Sequence, residues 1–192
     1  MRILLHTCCG PCSTYVVKHW QATGHDLTGW FYNPNIHPAT EHEKRMEAAK
    51  SLYANKGLDL WIDDKSDIPS SWLAAVEADP QTRCYRCYRL RLGRVAELAA
   101  TKGFDAFSTT LLISPFQKHD LIKQAGEEMG SHYGAVFHYD DLRPYFRATY
   151  QLARELRLYR QNYCGCHYSL TERVVEHGRK KLLAGNSHGL LE

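Results

Sequence analysis

The chain lacks any apolar run near the length of a bilayer span, which excludes a transmembrane helix. Nothing after Met1-Arg2 reads as a signal peptide. Ile3-Leu4-Leu5 runs straight into His6 and Cys8, with no longer apolar core and no small-residue cleavage site. Repeats and low-complexity tracts are missing, which removes solenoids and disordered linkers from consideration. Strong charge of one sign is missing too: the net value is only +3, what a surface of mixed charges commonly gives. An even cysteine count is also lacking, since seven thiols cannot complete a disulfide framework. Without an export signal the expected location is the cytoplasm, where clustered thiols serve as metal ligands or redox groups.

What is there is a set of cysteines in three clusters: Cys8, Cys9 and Cys12; Cys84 and Cys87; Cys164 and Cys166. Together they use every cysteine, so none is left as ordinary core filling. Arginines gather beside them. Arg83, Arg86, Arg89, Arg91 and Arg94 surround the second cluster, and Arg143, Arg147, Arg154, Arg157 and Arg160 precede the third. Positive charge there suits a polyanionic substrate or stabilises metal-bound thiolate, although such a run is most often a solvated helix face.

A length of 192 residues with 44% hydrophobic content is enough for one sizeable core, so a single domain over 1–192 is expected, with a helical part from about 143 closing over the metal site. Strands are expected over 2–7, 27–31, 58–62, 104–110 and 134–139. The turn at Gly10-Pro11 leads to a helix from about Ser13 that Gly24 ends. Thr40 with Glu43 reads as a capping box for a helix to about Asn55, with Gly57 beyond it. Helices follow from Ser70 or Ser71 to Asp79-Pro80, and from Cys84 to about Thr101. Ser114 reads as an N-cap with Pro115 at N1 for a helix ending near Gly130. Two more are expected, over 148–159 and from the third cluster to about His177, with a frayed end from Leu182.

Strands alternating with helices predict an α/β fold with a mainly parallel sheet of about five strands, Rossmann-like, its C-terminal part helical. Ligands in such folds collect beyond the carboxyl ends of the strands. The cysteine turn, the Tyr32-Asn33-Pro34-Asn35 loop and the segment from Thr109-Thr110 all lie at such ends and should face one crevice.

The cysteine arithmetic closes in two ways. Two structural zinc sites need eight ligands, so His6 or His167 would have to join. One [4Fe–4S] cubane takes four thiolates and leaves three for a neighbouring ion with an open position. Adjacent Cys8 and Cys9 in an extended segment should point opposite ways, each toward a different metal. A zinc-stabilised RNA-binding module and a dithiol oxidoreductase remain the alternatives on these residues alone.

Five separated segments resemble a known family, the cobalamin-independent epoxyqueuosine reductases of the QueH type. They are 5–12 (LHTCCGPC), 31–38 (FYNPNIHP), 84–88 (CYRCY), 109–115 (TTLLISP) and 159–166 (YRQNYCGC), in the family's order over nearly the whole chain. The resemblance implies a nucleotide-hydrolase-like sheet carrying a [4Fe–4S] cluster beside a mononuclear iron. It implies an oxidoreductase that removes the epoxide oxygen of epoxyqueuosine at the wobble position of a tRNA anticodon, with electrons from an external donor and no membrane involved. In some members an aspartate stands at the position of Cys12, which suits Cys12 as a ligand of the single iron.

On this resemblance Cys9, Cys84, Cys87 and Cys166 are assigned to the cubane and Cys8, Cys12 and Cys164 to the iron, with Tyr163 beside them as a further catalytic candidate. Tyr32, Asn33, Asn35, Arg160, Gln161 and Asn162 are expected to contact substrate, with Tyr32 or Tyr163 as stacking surfaces for an unstacked base. Tyr163 reads more readily as packing than as a proton donor. His6, ending a buried strand, reads as a satisfied core group. No nucleotide cofactor is expected, because Pro11 removes one of the N–H groups that a phosphate-binding first turn would use.

Overall fold

The computed structural model describes residues 1–63 and 68–186. Five short strands form one wholly parallel sheet: β1 (Arg2–His6), β2 (Asp26–Phe31), β3 (Leu60–Ile62), β4 (Ala106–Thr109) and β5 (Val136–Phe137), in the order β3-β2-β1-β4-β5. Leu5 pairs with Gly29 on one side of β1, and His6 with Thr109 on the other. The order reverses between β1 and β4, so the crevice beyond their carboxyl ends is the fold's natural ligand position.

Helices cover both faces, as a parallel sheet requires. They are α1 (Gly10–Ala22), α2 (Ala39–Asn55), α3 (Ile68–Glu77), α4 (Arg83–Thr101), α5 (His119–Tyr133), α6 (Phe146–Glu155) and α7 (His167–Asn186). Ile3, Leu4, Leu5, Phe107, Leu92, Val95 and Val17 make the centre of the main core, which continues without a break into Cys8, Cys9 and Cys12. No described helix is long and apolar enough to cross a membrane.

Of the helix starts that differ from the sequence reading, three have a clear local reason. α1 begins at Gly10, earlier than Ser13, because Pro11 fits the first helical positions, where no N–H is needed. α2 begins at Ala39 with Pro38 as its N-cap; the Pro38 carbonyl accepts from Glu41 and His42, and no Thr40 capping box forms. Ser114-Pro115 does not open α5. Thr109 instead caps a 3-10 turn, Thr110–Ile113, by accepting from the Leu111 N–H at 3.2 Å. Ser114 then closes a separate turn to Gln117, and α5 starts at His119. At the other end of the chain, α7 runs past His177 to Asn186. The frayed end expected from Leu182 is therefore helical as far as Asn186, and its remainder, 187–192, lies outside the described residues.

Candidate metal centre

The first cysteine cluster lies between the end of β1 and the first turn of α1. Gly10 seats it there: a Cβ on Gly10 would lie 2.5 Å from the Ala48 carbonyl oxygen, so α1 and α2 meet backbone to backbone at this point. The Cys8 N–H donates to Thr110 Oγ1 at 3.0 Å, and the Thr110 hydroxyl donates to Cys8 Sγ at 3.2 Å. The loop after β4 thus holds the loop after β1 by both its backbone and its sulfur.

The expected divergence of Cys8 and Cys9 is not found. Their sulfurs are 3.6 Å apart, and those of Cys8, Cys9 and Cys12 all lie within 4.8 Å of one another. Strand alternation ends at His6, and the extended backbone of Cys9 turns into α1, so period-two logic no longer applies at these two positions. An ion with metal–sulfur bonds of about 2.3 Å spans thiolates up to about 4.6 Å apart, which matches this triad with little adjustment.

The triad holds its charge unevenly. Cys12 and Cys9 direct hydrogen bonds at Cys8, which lowers its pKa well below the ordinary thiol range against the opposing effect of burial. Burial pushes Cys9 up, and Cys12 is raised by serving as donor to Cys8 and Cys9. Hydrogen bonding within the triad thus favours negative charge on Cys8 over Cys9 and Cys12, and metal binding would displace thiol protons.

Of the other four cysteines, Cys87, Cys164 and Cys166 lie near one another, and Cys84 stands three residues before Cys87 on one helix face. Cys84 and Cys87 lie in the first turns of α4, and Cys164 and Cys166 in the loop before α7. Cys87 and Cys166 share a small core with Trp72 and Val76. Cys164 donates to Cys166, which raises Cys164 and lowers Cys166 to about 5, and the Ser169 backbone and hydroxyl add to that lowering. Among the described residues these four do not form a second tight group of ligand atoms, and a cluster ligated at its corners takes thiolates set further apart than a single ion does.

Two glutamines reach the sulfurs. Gln161 donates to Cys9 Sγ at 2.8 Å and approaches Cys12 Sγ at 3.5 Å, while its own carbonyl oxygen is buried without a partner among the described residues. Gln117 lies 3.8 Å from Cys164 Sγ, oriented by the Tyr88 hydroxyl, which donates to its carbonyl at 2.8 Å. A soft, buried thiol donor set with an unpaired polar oxygen aimed beside it fits a metal and a polar ligand.

Arg45, on α2, holds the third cluster in place. Its side chain is buried against Glu41 at 2.7 Å and donates to the carbonyls of Cys164 at 2.9 Å and Tyr163 at 3.0 Å. The His37 N–H donates to the Gly165 carbonyl at 2.8 Å, and Gly165 turns with φ 121° in a space that a Cβ would share with Arg45 and Ile36 at 3.0 Å. The Tyr163 hydroxyl donates to the His37 carbonyl and its ring lies 5.1 Å from the Arg45 guanidinium. Tyr163 is thus an anchor of this loop, with its phenolic proton already committed.

Beneath the crevice lies a buried polar hub. His6 Nδ1 is 2.8 Å from Thr109 Oγ1, and Nε2 is 3.1 Å from the Tyr32 carbonyl and 3.3 Å from Arg91 Nε. Burial, reinforced by Arg91, lowers His6 to about 3, so its ring is neutral at physiological pH. Arg91 also donates to Asn33 Oδ1 at 2.7 Å, and Asn33 Nδ2 donates to the Thr7 carbonyl at 2.8 Å. The three loops predicted to share a crevice do meet.

Several residues expected to contact substrate also make bonds within the protein. Both ends of the Asn33 amide are spent on the protein, Asn35 is buried, and Tyr32 is buried with its ring stacked on Trp30 at 4.9 Å. Arg160 and Asn162 are exposed, and Gln161 reaches the sulfurs. The arginine collar on α4 is mostly occupied elsewhere: Arg83 pairs with Glu172, Arg89 with Glu128 and Arg94 with Glu97. Only Arg91 of that group is buried. Sequence reasoning missed Arg91, although Cys84, Cys87 and Arg91 at i, i+3 and i+7 share one helix face. It also missed Arg45, whose Glu41 partner at i−4 reads as an ordinary surface pair.

Comparison with known proteins gives the family. The family described as "Epoxyqueuosine reductase QueH" matches residues 3–172. A protein of that name from Dehalococcoides mccartyi is 41% identical over 90% of this chain and 94% of its own length, and one from Thermotoga maritima is 35% identical over 91% and 93%. A solved structure titled as a predicted subunit of a tRNA methyltransferase from Methanocaldococcus jannaschii aligns with a TM-score of 0.51 at 13% identity, covering 80% of this chain and 76% of that one, a likeness of fold alone. With matches of this length and in this order, the chain belongs to the epoxyqueuosine reductase family QueH.

Proposed function

We propose that this protein reduces epoxyqueuosine to queuosine at the wobble position of a tRNA anticodon. The reaction takes the epoxide carbons to a carbon–carbon double bond and the oxygen to water, consuming two electrons and two protons from an external donor and solvent. The observation that carries the reading is a tight thiol triad at the β1/β4 switch point accompanied by a second thiol group, Cys87, Cys164 and Cys166.

The geometry favours Cys8, Cys9 and Cys12 as holders of the mononuclear iron, and Cys84, Cys87, Cys164 and Cys166 as holders of a [4Fe–4S] cluster. This exchanges Cys9 and Cys164 relative to the assignment made from sequence. When bound, such centres supply single electrons and a Lewis-acidic position. Gln161 directs its amide at the triad and leaves its carbonyl for a substrate hydroxyl or amine. Arg160 and Asn162 flank it at the surface, where phosphate and base edges are within reach. Asn33 and Asn35 shape the floor, and Tyr163 keeps the loop closed. Exposed Cys164 marks the side from which solvent protons enter.

Anaerobic reconstitution followed by iron and sulfide analysis, then mass spectrometry of the tRNA nucleosides after incubation with a chemical reductant, tests this reading. Iron near five and sulfide near four per chain, with loss of 16 mass units from epoxyqueuosine, is the expected result. Stoichiometric zinc with no chromophore and no conversion would leave a zinc-stabilised RNA-binding module in its place.

A further inference from the structure

The most exposed large hydrophobic side chain among the described residues is Phe116, at 80%. It lies in the turn between the 3-10 segment and α5, one residue before Gln117, which approaches Cys164 Sγ. Its ring meets Phe146 edge to face at 5.6 Å, and Phe146 meets Tyr150 in the same way at 5.1 Å. The Arg160 guanidinium lies 4.4 Å from the centre of the Tyr150 ring. Arg160 in turn precedes Gln161, which touches Cys9. The strip of Phe116, Phe146, Tyr150 and Arg160 thus begins and ends beside a glutamine that contacts a metal-site sulfur, and so borders the crevice.

A soluble surface has little reason to leave a phenyl ring at 80% exposure unless something covers it. The surrounding charge indicates what. Arg147, Arg154, Arg157 and Arg160 are all exposed on or just beyond α6, while Arg143 is spent on Asp141 at 2.5 Å. Aromatic faces interleaved with arginine are how proteins hold unpaired nucleobases, with the rings stacking on bases and the guanidinium groups meeting phosphate.

We propose that this strip is a stacking platform for an unpaired base next to the nucleotide delivered to the crevice. The inference rests on the tRNA reading of the site and deepens it. Phe116 supplies the free face, Phe146 and Tyr150 buttress it, and Arg160 links the platform to the crevice. The role is one of positioning: with the neighbouring base stacked, the reacting nucleotide is presented at Gln161 without a search.

The test uses the anaerobically reconstituted protein and two anticodon stem-loops, each with 2-aminopurine at one neighbour of the wobble nucleotide. Wild type should quench one of the two probes on binding. Phe116→Ala should lose that quench and bind about tenfold more weakly, as expected from one lost aromatic stack, and Phe116→Trp should restore both. Arg160→Gln should weaken binding and flatten its salt dependence. Because Phe116 is so exposed, its replacement leaves the core intact, which far-UV circular dichroism checks.

Unchanged affinity and quench in Phe116→Ala overturn the platform. So does a variant that binds RNA normally but is reduced more slowly by a protein electron donor, since the strip would then be a protein-docking face. Failure of the functional reading is separable: wild type that binds and quenches the stem-loop yet leaves epoxyqueuosine at its original mass keeps the platform and removes the reaction.

Discussion

Arg91 is a buried guanidinium that donates to the neutral groups His6 and Asn33 and lies near the Cys8 and Cys87 sulfurs. No carboxylate pairs with it among the described residues. A desolvated cation of this kind needs negative charge nearby, and metal-bound thiolates supply it. Arg91→Gln should therefore destabilise the loaded protein by about 1–3 kcal/mol and the metal-free protein by less. It should also move the reduction potential of the reconstituted centre to more negative values, because the added electron loses a compensating charge. Denaturant titration with and without metal, and potentiometry, measure the two effects. The thiols themselves separate the two assignments. If the geometric grouping is right, Cys9→Ala keeps the cubane absorbance and Cys164→Ala loses it, and the opposite pattern would restore the split made from sequence. The expected divergence of Cys8 and Cys9 behind that split is not found, because alternation of side chains was extended past His6 into a segment that is no longer strand.

The cysteine loops work because neighbouring elements seat them, and that is where the sequence was least readable. The strands and most helices were legible from apolar runs and from Gly24, Gly57 and Gly103, all of which do turn the chain with positive φ. Helix starts were less so, because a Ser-Pro pair and a Thr-x-x-Glu pair each have more than one use and only the tertiary neighbours decide between them. Arg45 shows the same limit, since its two long-range carbonyl partners lie over a hundred residues away. Arg45→Leu would leave Glu41 buried without its cation and free the 163–166 loop. We expect a loss of about 3–5 kcal/mol by denaturation, with faster chemical labelling of Cys164 and Cys166. Gly165→Ala should act in the same direction, because φ 121° and the 3.0 Å approach to Arg45 both oppose a side chain there.

The sheet and the metal-site loops need not share one stability. β1, β2 and β4 carry the apolar centre of the core and the parallel ladder. The segment from Tyr159 to α7 is held differently: by the Arg45 clamp, the Tyr163 anchor, Gln161 on Cys9, and the small Cys87–Cys166 core. A metal cluster held by the thiols of α4 and of this segment would tie it to the rest of the chain, since any group that binds only the folded form raises stability by linkage. Stripping the metals should then loosen one part before the other. Hydrogen exchange of the chelated protein should show residues 159–176 losing protection by tenfold or more while the amides of β1, β2 and β4 stay near their loaded values. Uniform loss across the sheet would mean that the metals hold the whole fold together, and no loss at all would mean that the Arg45 clamp alone suffices.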